Sequence, residues 1–494
     1  MVDNNMAIGF TFLAYLLLML GIGIVAYKRT TNLSDYILGG RSLGPWTSAI
    51  SAGASDMSGW LLLGLPGAAY VSGISASWIA VGLLIGTWLN WLVVARRLRL
   101  YSFKVSDALT LPEYFANRFQ DKTQLLRVIS ALFILMFFLF YTSSGLVAGG
   151  RLFETVFGYD YTLAVTIGTI AVISYTFFGG FLAVSWTDLI QGLMMAAALA
   201  IVPIIAFSDL GGTSGAGAAL AAESEYMLAW FRDASTGEAL TTIGIISSLA
   251  WGLGYFGQPH ILARFAAIRS DRDIPAARRI AVSWTAIALV SSIAVGLLGV
   301  GFVQRDLADG ETVFMVMVNI IFHPVIAGIL LAAILAAIMS TADSQLLVSS
   351  SALTDDFYKA IFRKDASQTE LVWVGRFAVI GIAVLAYLLA LNPDATVLDL
   401  VAYAWAGFGA AFGPALIMSL YWRRMNKWGA LAGIVVGGVT VTVVLWAEIS
   451  GGIFDLYEIV PGVILAYVAI VVASLATEEP NLWVTADFDT FEEA

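Results

Sequence analysis

The sequence predicts an all-α polytopic membrane protein that crosses the bilayer as thirteen transmembrane helices. The 494 residues are 60% hydrophobic, only 12% are charged, and the mean hydropathy is +0.86. Because soluble domains carry about 25% charged residues, a soluble fold is excluded. The apolar runs are long and continuous, whereas strands of a transmembrane barrel alternate apolar and polar residues over short segments. The spans are therefore helical.

A spanning helix needs about 20 mostly apolar residues. The stretches that meet this requirement are 7–27, 45–71, 75–97, 126–150, 161–180, 187–208, 241–263, 279–303, 325–351, 371–391, 397–421, 428–447 and 457–476. The first span is not a cleavable signal peptide, because it follows Asp3 and ends in Tyr27-Lys28-Arg29 where small residues would be needed. We expect residues 1–494 to form a single transmembrane domain.

The distribution of Lys and Arg predicts the orientation. With the N-terminus outside, 22 of the 25 basic residues lie on the cytoplasmic side, and Arg151, Arg232 and Arg305 lie outside. This asymmetry is the one that membrane insertion favours. An odd number of spans then places the acidic tail 477–494 in the cytoplasm, as a solvated extension. The predicted location is a cell inner membrane.

Two spans contain interruptions that a lipid-facing helix would not tolerate. Span 2 carries SAGASDMSGW at 51–60, and span 7 carries WGLGYFGQP at 251–259. Unwound backbone at membrane depth needs protein or a water-filled cavity around it, and paired interruptions in two halves indicate a transporter binding site. The spacing predicts a five-plus-five inverted repeat, with spans 2–6 (45–208) and spans 7–11 (241–421). The alternative is that these glycines only permit close helix packing.

Asp56 is the most informative single residue, because a carboxylate near the bilayer centre costs several kcal/mol unless a cation or hydrogen bonds compensate it. No Lys or Arg lies in the core of its span. We interpret Asp56 as part of a cation site or its support; the alternative is a carboxylate satisfied by backbone N–H groups.

Span 9 carries oxygen-rich patches of helical spacing. Ala337, Ser340 and Thr341 share one face, and Ser340 shares another with Asp343 and Ser344. Hard cations such as Na⁺ prefer oxygen ligands. The competing interpretation is a set of hydroxyls that bond back to helix carbonyls. Asp188 lies at the start of span 6 and has two interpretations. It is either part of a second ion site or a carboxylate that the helix dipole stabilises.

Other classes of function find little support. The chain has no Cys and two isolated His residues, which disfavours a metal site or an intramembrane enzyme. Its net charge of −10 argues against nucleic acid. An ion channel would need a continuous polar pore, and a transport-derived sensor would need a signalling domain after residue 476.

Five motifs resemble the sodium/solute symporter family, and most closely its proline-transporting branch. They are SDYILGGRSLGP at 34–45, SAGASDMSGW at 51–60, GGFLAVSWTD at 179–188, WGLGYFGQP at 251–259 and IMST at 338–341. The similarity runs from about residue 30 to 476. The resemblance implies a LeuT-type inverted repeat, with the first helix (7–27) and the last two (428–476) peripheral.

The resemblance also implies a site for each partner. Na⁺, the coupling ion, would bind backbone oxygens and hydroxyls of span 2 and span 9, with Asp56 supporting coupling and no other cofactor. L-Proline would occupy an aromatic pocket, with its carboxylate near backbone N–H groups. The implied Na⁺ ligands are Ala54, Met57, Ala337, Ser340 and Thr341, and the implied proline contacts are Trp60, Tyr141, Trp251, Tyr255, Ser58, Gly59 and Gln258.

Asp188, Asp343 and Ser344 match the place where some members of the resembled family bind a second sodium ion, so the resemblance also implies a second sodium site there. The predicted function is therefore Na⁺-coupled L-proline uptake by alternating access. The nearest alternative is symport of another small solute, such as a different amino acid, a carboxylate or a vitamin.

Overall fold

The structure, a computed structural model, describes residues 2–28, 32–104, 107–176, 180–303, 307–392, 396–446 and 451–492. Within these ranges the chain is helical, and two isolated bridges are its only extended pairings. Predictions that concern Arg29, Gly179 and Arg305, and the last residues of spans 161–180 and 428–447, lie outside the described residues.

The described residues of the first half form twelve α-helices. They are α1 (Val2–Tyr27), α2 (Leu33–Leu38), α3 (Pro45–Asp56), α4 (Gly59–Leu62), α5 (Gly64–Ser72), α6 (Ser77–Leu89), α7 (Ala95–Lys104), α8 (Leu111–Arg118), α9 (Leu125–Phe157), α10 (Tyr161–Thr176), α11 (Phe181–Asp209) and α12 (Gly212–Glu223). A π-helical segment, Asn90–Val94, joins α6 to α7 without a turn.

The second half, within its described ranges, forms ten more. They are α13 (Thr242–Ala250), α14 (Pro259–Ala267), α15 (Ile274–Val303), α16 (Val313–Ile321), α17 (Pro324–Ser351), α18 (Gln368–Ala390), α19 (Val397–Tyr421), α20 (Lys427–Trp446), α21 (Ile459–Ala476) and α22 (Leu482–Glu492). A 3₁₀ segment, Trp251–Gly257, lies between α13 and α14. A π-helical segment, Ala352–Phe362, continues α17.

Ten helical stretches of the described chain are long and apolar enough to cross a membrane. The helical, multi-pass class is therefore confirmed, and the count of thirteen stays a prediction. The predicted spans 45–71 and 75–97 are divided at Gly73, whose backbone (φ 72°, ψ −155°) ends α5 before α6 begins, and α10 is only 16 residues long. The predicted span 241–263 is divided by its 3₁₀ segment, so no single regular helix of spanning length remains there.

Two helices form the centre of the molecule. In both α17 and α19, 83% of the most apolar window is buried, compared with 28% in α1 and in α21. A helix that is buried all round needs apolar or small residues on every face, and α17 supplies them from Ala327 to Ala337. Large apolar side chains exposed on α1, α18 and α21 face outward, as lipid-facing residues do.

Glycines allow the 3₁₀ segment to lie directly against α6. A Cβ atom on Gly86 would lie 2.2 Å from the carbonyl oxygen of Gly252, and one on Gly82 would lie 2.4 Å from that of Leu249. Small residues of this kind let helix backbones approach closely inside a membrane. Glycine thus allows the 3₁₀ segment to form and also allows it to lie at backbone contact with α6.

The prediction of a solvated C-terminal tail is wrong for the described residues. Helix α22 packs against other helices, with Val484 and Phe488 buried at 2% and 4% exposure. Arg118 donates to the carbonyl of Val484 and lies 5.6 Å from the Phe488 ring. The tail is acidic, but its apolar residues share one helical face, and this amphipathic spacing covers a buried arginine.

An ion pair fixes the same helix from the other side. Arg423 donates two hydrogen bonds to the carboxylate of Asp489, at 2.6 and 2.8 Å. These bonds lower the pKa of Asp489 below its usual value. Both side chains are about half exposed, so the pair orients α22 more than it stabilises it.

We predict that Phe488→Ala releases α22 from the helices beneath it. Removing a buried aromatic ring costs about 3 kcal/mol, so amide hydrogen exchange across 482–492 should become roughly a hundredfold faster. The matched control is Leu482→Ala, whose side chain is 86% exposed. Equal protection in the two variants would contradict the docking of the tail.

Candidate ion and solute site

The first break separates α3 from α4 at Asp56–Ser58. Helix α3 ends when Met57 leaves the helical region (φ −78°, ψ 67°), and Ser58 is extended. The Ser58 hydroxyl accepts a weak hydrogen bond from the N–H of Trp60 and so begins α4. The predicted interruption of span 2 is confirmed, and it turns backbone oxygens of α3 toward neighbouring helices.

The second break is the 3₁₀ segment Trp251–Gly257 followed by extended Gln258. Pro259 then begins α14, where its missing N–H is not needed. Trp405 of α19 donates from Nε1 to the carbonyl of Trp251 at 2.7 Å. Gln258 donates from Nε2 to the carbonyls of Gly254 and Trp405 at 3.1 and 3.3 Å. The interruption predicted in span 7 is confirmed, and α19 satisfies its backbone.

Four of the predicted sodium ligands meet where α3 contacts α17. The Ser340 hydroxyl lies 2.8 Å from the carbonyl oxygen of Ala54 and 3.1 Å from that of Ala337. The Thr341 hydroxyl lies 3.2 Å from the Ala54 oxygen. Met57, the fifth, is fully buried one residue after the end of α3. The bonds from Ser340 and Thr341 to Ala54 cross between helices, which back-bonding within α17 does not explain.

Asp56 is buried in the middle of the predicted aromatic residues. Its Oδ2 accepts a hydrogen bond from the Tyr255 hydroxyl at 2.6 Å. Its backbone carbonyl accepts one from the Tyr141 hydroxyl at 2.9 Å and a weaker one from Trp60 Nε1. The Trp60 and Trp251 ring centroids are 6.4 Å apart. The structure thus gathers the four predicted aromatic residues around the first break.

Ser58 and Gly59 lie at the same break, against α9. A Cβ atom on Gly59 would come within 2.7 Å of the Cβ of Ala148. Any larger residue here would push the start of α4 away from α9, which carries Tyr141. Gln258, the last predicted solute contact, faces α19 through its side-chain amide, as described above.

The predicted second ion site contains an arginine that the sequence analysis placed in the cytoplasm. Arg264 of α14 is fully buried. It donates to Asp188 Oδ2 at 3.0 Å, to Ser344 Oγ at 2.6 Å and to Ser51 Oγ at 3.0 Å. Ser51 in turn donates to Asp188 at 2.6 Å. Asp188 and Ser344 are brought together, and Asp343 is buried one residue away on α17.

Arg264 is therefore not an exposed loop residue but a buried one. A charged residue inside an apolar span pairs when it is buried, and Asp188 is the partner. The signal was present in the sequence, because Arg264 lies five residues into the half-helix that Pro259 begins.

Two aromatic residues of the site were not predicted. Trp405 fixes the 3₁₀ segment, and its ring meets that of Tyr255 edge to face at 5.0 Å. Tyr457, just before α21, stacks on Trp251 with the centroids 5.4 Å apart. Neither stands beside an interruption in the sequence, and proximity to an interruption was the only signal that distinguished site aromatics from packing ones.

Comparison with known proteins places the chain in a family. The model of the sodium:solute symporter family matches residues 36–437. The chain belongs to this family. Its members are symporters, so the chain is a transporter and not an enzyme.

Close relatives share half of the sequence. The osmoregulated proline transporter OpuE of Bacillus subtilis is 51% identical over 469 residues, which cover 94% of each chain. The sodium/proline symporter of Escherichia coli is 51% identical over 478 residues, covering 95% of this chain and 93% of that one.

Solved structures of other symporters share the fold of this family member. A Na⁺-coupled sialic acid symporter in a substrate-bound outward-open state matches with a TM-score of 0.79 at 21% identity, covering 96% of this chain and 99% of the other. Mhp1, a nucleobase-cation-symport-1 family transporter, matches with a TM-score of 0.57 at 17% identity, covering 93% and 99%.

We predict that Gly254→Ala disrupts the second break. The added Cβ would lie 2.0 Å from Trp405 Nε1, so the ring that donates to the Trp251 carbonyl must move. The melting temperature in detergent should fall by several degrees, and transport should be lost. Gly381→Ala is the control, because a Cβ there meets no atom within 4 Å. Similar melting temperatures for the two variants would contradict the tight contact.

Proposed function

We propose that this symporter couples the inward movement of Na⁺ to the uptake of L-proline by alternating access. The observation that carries the proposal is the oxygen cluster between α3 and α17, in a chain half identical to named proline transporters. Carbonyl and hydroxyl oxygens suit a hard monovalent cation, and they lie where α3 is broken.

The proposed sodium ligands are the backbone oxygens of Ala54, Met57 and Ala337 and the hydroxyls of Ser340 and Thr341. A sodium ion among them would replace the hydrogen bonds that now join the hydroxyls to the carbonyls. Since the ligands come from two different helices, the ion would stabilise one relative position of α3 and α17. Asp56, on the same break, would support this coupling.

The proposed solute pocket lies beside the ion. Trp60, Tyr141, Trp251 and Tyr255 would surround the pyrrolidine ring of proline, because aromatic rings provide apolar surface of defined shape. The proline carboxylate would accept hydrogen bonds from backbone N–H groups near Ser58 and Gly59. Gln258 would hold the second break in the shape that the pocket requires.

We propose a membrane arrangement of thirteen spans built on two inverted repeats. Residues 45–208 and 241–421 would form the repeats, and each begins with a broken element, α3–α5 and α13–α14. Residues 7–27 and 428–476 would be peripheral, and 477–494 would lie in the cytoplasm. The N-terminus would face the outside of a cell inner membrane, as the Lys and Arg distribution indicates.

Asp188, Asp343 and Ser344 remain a proposed second sodium site, with one added requirement. Arg264 already donates to Asp188 and Ser344. A sodium ion at these oxygens would have to displace the guanidinium, because two positive charges would repel each other there.

The energy of one sodium ion is sufficient for concentrative uptake. A charge that moves through about 100 mV releases roughly 2.3 kcal/mol, and a tenfold concentration gradient adds about 1.4 kcal/mol. Their sum sustains a proline gradient of roughly several hundredfold. Binding can drive the cycle only if each ligand prefers one of the two orientations.

Uptake of radiolabelled L-proline into proteoliposomes tests the proposed function. We expect concentrative uptake with an inward Na⁺ gradient, none with an equal K⁺ gradient, and competition by unlabelled proline. Sodium-independent uptake would contradict the ion site. Absence of proline uptake by folded protein would contradict the substrate and favour another small solute.

Two substitutions should separate the ion from the solute. Asp56→Asn keeps an acceptor for Tyr255 but removes the charge, so sodium should no longer stimulate uptake. Trp251→Ala removes an aromatic wall, so proline affinity should fall at least tenfold while sodium still stimulates uptake. Asp365→Asn and Trp46→Ala, at exposed positions, are the controls. Unchanged sodium stimulation in Asp56→Asn would contradict the role of Asp56.

A further inference from the structure

A cavity lies about two helical turns from the proposed solute pocket. Its volume is about 50 Å³, which is room for roughly four water molecules. On α9 it reaches Ile134, which precedes Tyr141 by seven residues. On α17 it reaches Val348, which follows Thr341 by seven residues. Because a helix rises about 1.5 Å per residue, both separations are about 10 Å. The cavity is therefore distinct from the proposed sodium and solute sites.

The lining of this cavity is mostly apolar. Helix α14, which begins at the second break, contributes to it together with α7, α8 and the π-helical segment Ala352–Phe362. The apolar part includes Ile37, Leu98, Leu109, Leu111, Leu262 and Ala263. The hydroxyl groups of the lining already have hydrogen-bond partners, and they belong to Ser102, Thr110, Tyr114 and Ser351.

One carboxylate oxygen of the lining has no hydrogen-bond partner among the described residues. It belongs to Asp356, which is fully buried. The Oδ1 atom of Asp356 accepts hydrogen bonds from Arg127 Nε at 2.6 Å and from the Thr110 hydroxyl at 3.0 Å. The Oδ2 atom accepts none. Buried polar atoms without partners are rare in folded proteins, so this oxygen is available to a ligand in the cavity.

The charges around Asp356 favour a positively charged ligand. Arg127 contacts three carboxylates, which belong to Asp355, Asp356 and Glu113. Lys359 pairs with Asp355 at 2.9 Å. Three negative charges thus meet two positive ones, so one negative charge of this cluster is not compensated. A buried charge of this kind is costly unless an opposite charge accompanies it.

A single free oxygen in an apolar lining selects the class of cation. Na⁺ prefers several oxygen ligands, and the hydroxyls of this lining are already engaged. A water molecule would leave the charge uncompensated. L-Proline would bring a carboxylate for which the engaged hydroxyls provide no free donor. An alkylammonium ion instead presents N–H groups to the carboxylate and a hydrocarbon chain to the apolar side chains.

We propose that this cavity binds a small alkylammonium ion, with its N–H groups on Asp356 Oδ2 and its chain on the apolar lining. Such an ion would join α14 to the π-helical segment through one ligand. Because α14 begins at the second break, occupation of the cavity would restrain the movement of that break. The binding does not depend on the proposed function, since neither Na⁺ nor proline takes part in it.

Calorimetric titration with n-butylammonium tests the proposal. The titrated sample is purified full-length protein in detergent, without Na⁺ or proline, and we expect saturable binding. Tetramethylammonium has the charge but no N–H group, and 1-butanol has the chain but no charge. Each should bind about tenfold more weakly or worse, because a hydrogen bond to a charged group is lost.

Three substitutions test the site from different sides. Asp356→Asn keeps the shape but removes the charge, so the affinity for n-butylammonium should fall about tenfold or more. Ala352→Leu fills the cavity and leaves the carboxylate in place, and it should have the same effect. Lys359→Gln removes a competing positive charge from the cluster and should strengthen binding, which a loss of folding cannot do.

Controls separate the loss of the site from the loss of folding. Asp365→Asn and Ala222→Leu make the same changes at exposed positions and should bind n-butylammonium as the natural sequence does. All variants are compared at equal melting temperature and monodispersity. At saturation, amide hydrogen exchange should slow in α14 and stay unchanged in α21, which does not line the cavity.

The opposing results are distinct. Absence of saturable n-butylammonium binding would overturn the proposal, and so would equal affinity for tetramethylammonium. Binding that persists in Asp356→Asn and Ala352→Leu but disappears with excess proline would overturn it and place the ion in the solute pocket. Unchanged exchange in α14 at saturation would overturn the restraint of the second break.

Discussion

The structure depends on satisfying the backbone at two helix breaks inside an apolar protein. Each break frees carbonyl and N–H groups that water cannot reach, and an unpaired group costs several kcal/mol in such surroundings. The hydroxyls of Ser340 and Thr341 satisfy the carbonyl of Ala54 at the first break. Trp405 and Gln258 satisfy the second. Ser340 and Thr341 belong to α17 and Trp405 to α19, and these are the two helices whose most apolar windows are most buried in the described chain.

The same constraint explains why the breaks suit ion and solute binding. A carbonyl that is held by one hydroxyl can exchange it for a cation, because both interactions satisfy the same lone pairs. The exchange requires no unfolding, since the break has already turned the oxygens away from the helix axis. Gly86 and Gly252 let the second break lie at backbone contact with α6. This contact gives the second break a defined geometry.

Buried charges are organised in separate groups with different roles. Asp188 is paired with Arg264, and Arg127, near the N-terminal end of α9, pairs with Asp355 and Asp356. Removing one member of such a pair leaves an uncompensated charge. The Asp188–Arg264 pair is fully buried, whereas the Arg127 side chain is 11% exposed. Asp56 differs, because a tyrosine hydroxyl is its hydrogen-bond partner. This difference separates a carboxylate that fixes helices from one that is available to an ion.

The sequence by itself determined the helical, multi-pass membrane class and the positions of both breaks, and it named most of the residues that the structure gathers around them. These features are local, because each can be seen along the chain. Long apolar runs predict the spans, and runs of Gly and Ser predict the breaks. Hydroxyl residues at helical spacing predict the oxygen-rich faces. The meeting of Ala54 with Ser340 was also predicted, but only through the resemblance to a family.

Tertiary structure alone decided which distant residues complete the site. Arg264 contacts Asp188, which lies 76 residues away in the sequence, and Asn90 contacts Tyr255, which lies 165 residues away. Tyr457 and Trp251, which stack, are separated by an even longer stretch of sequence. The periodicity of the sequence does not predict these contacts, because nothing in the local pattern around either residue distinguishes it from its neighbours. The docking of α22 is of the same kind: its acidic composition suggested a solvated segment, but the folded structure buries two of its apolar side chains, Val484 and Phe488.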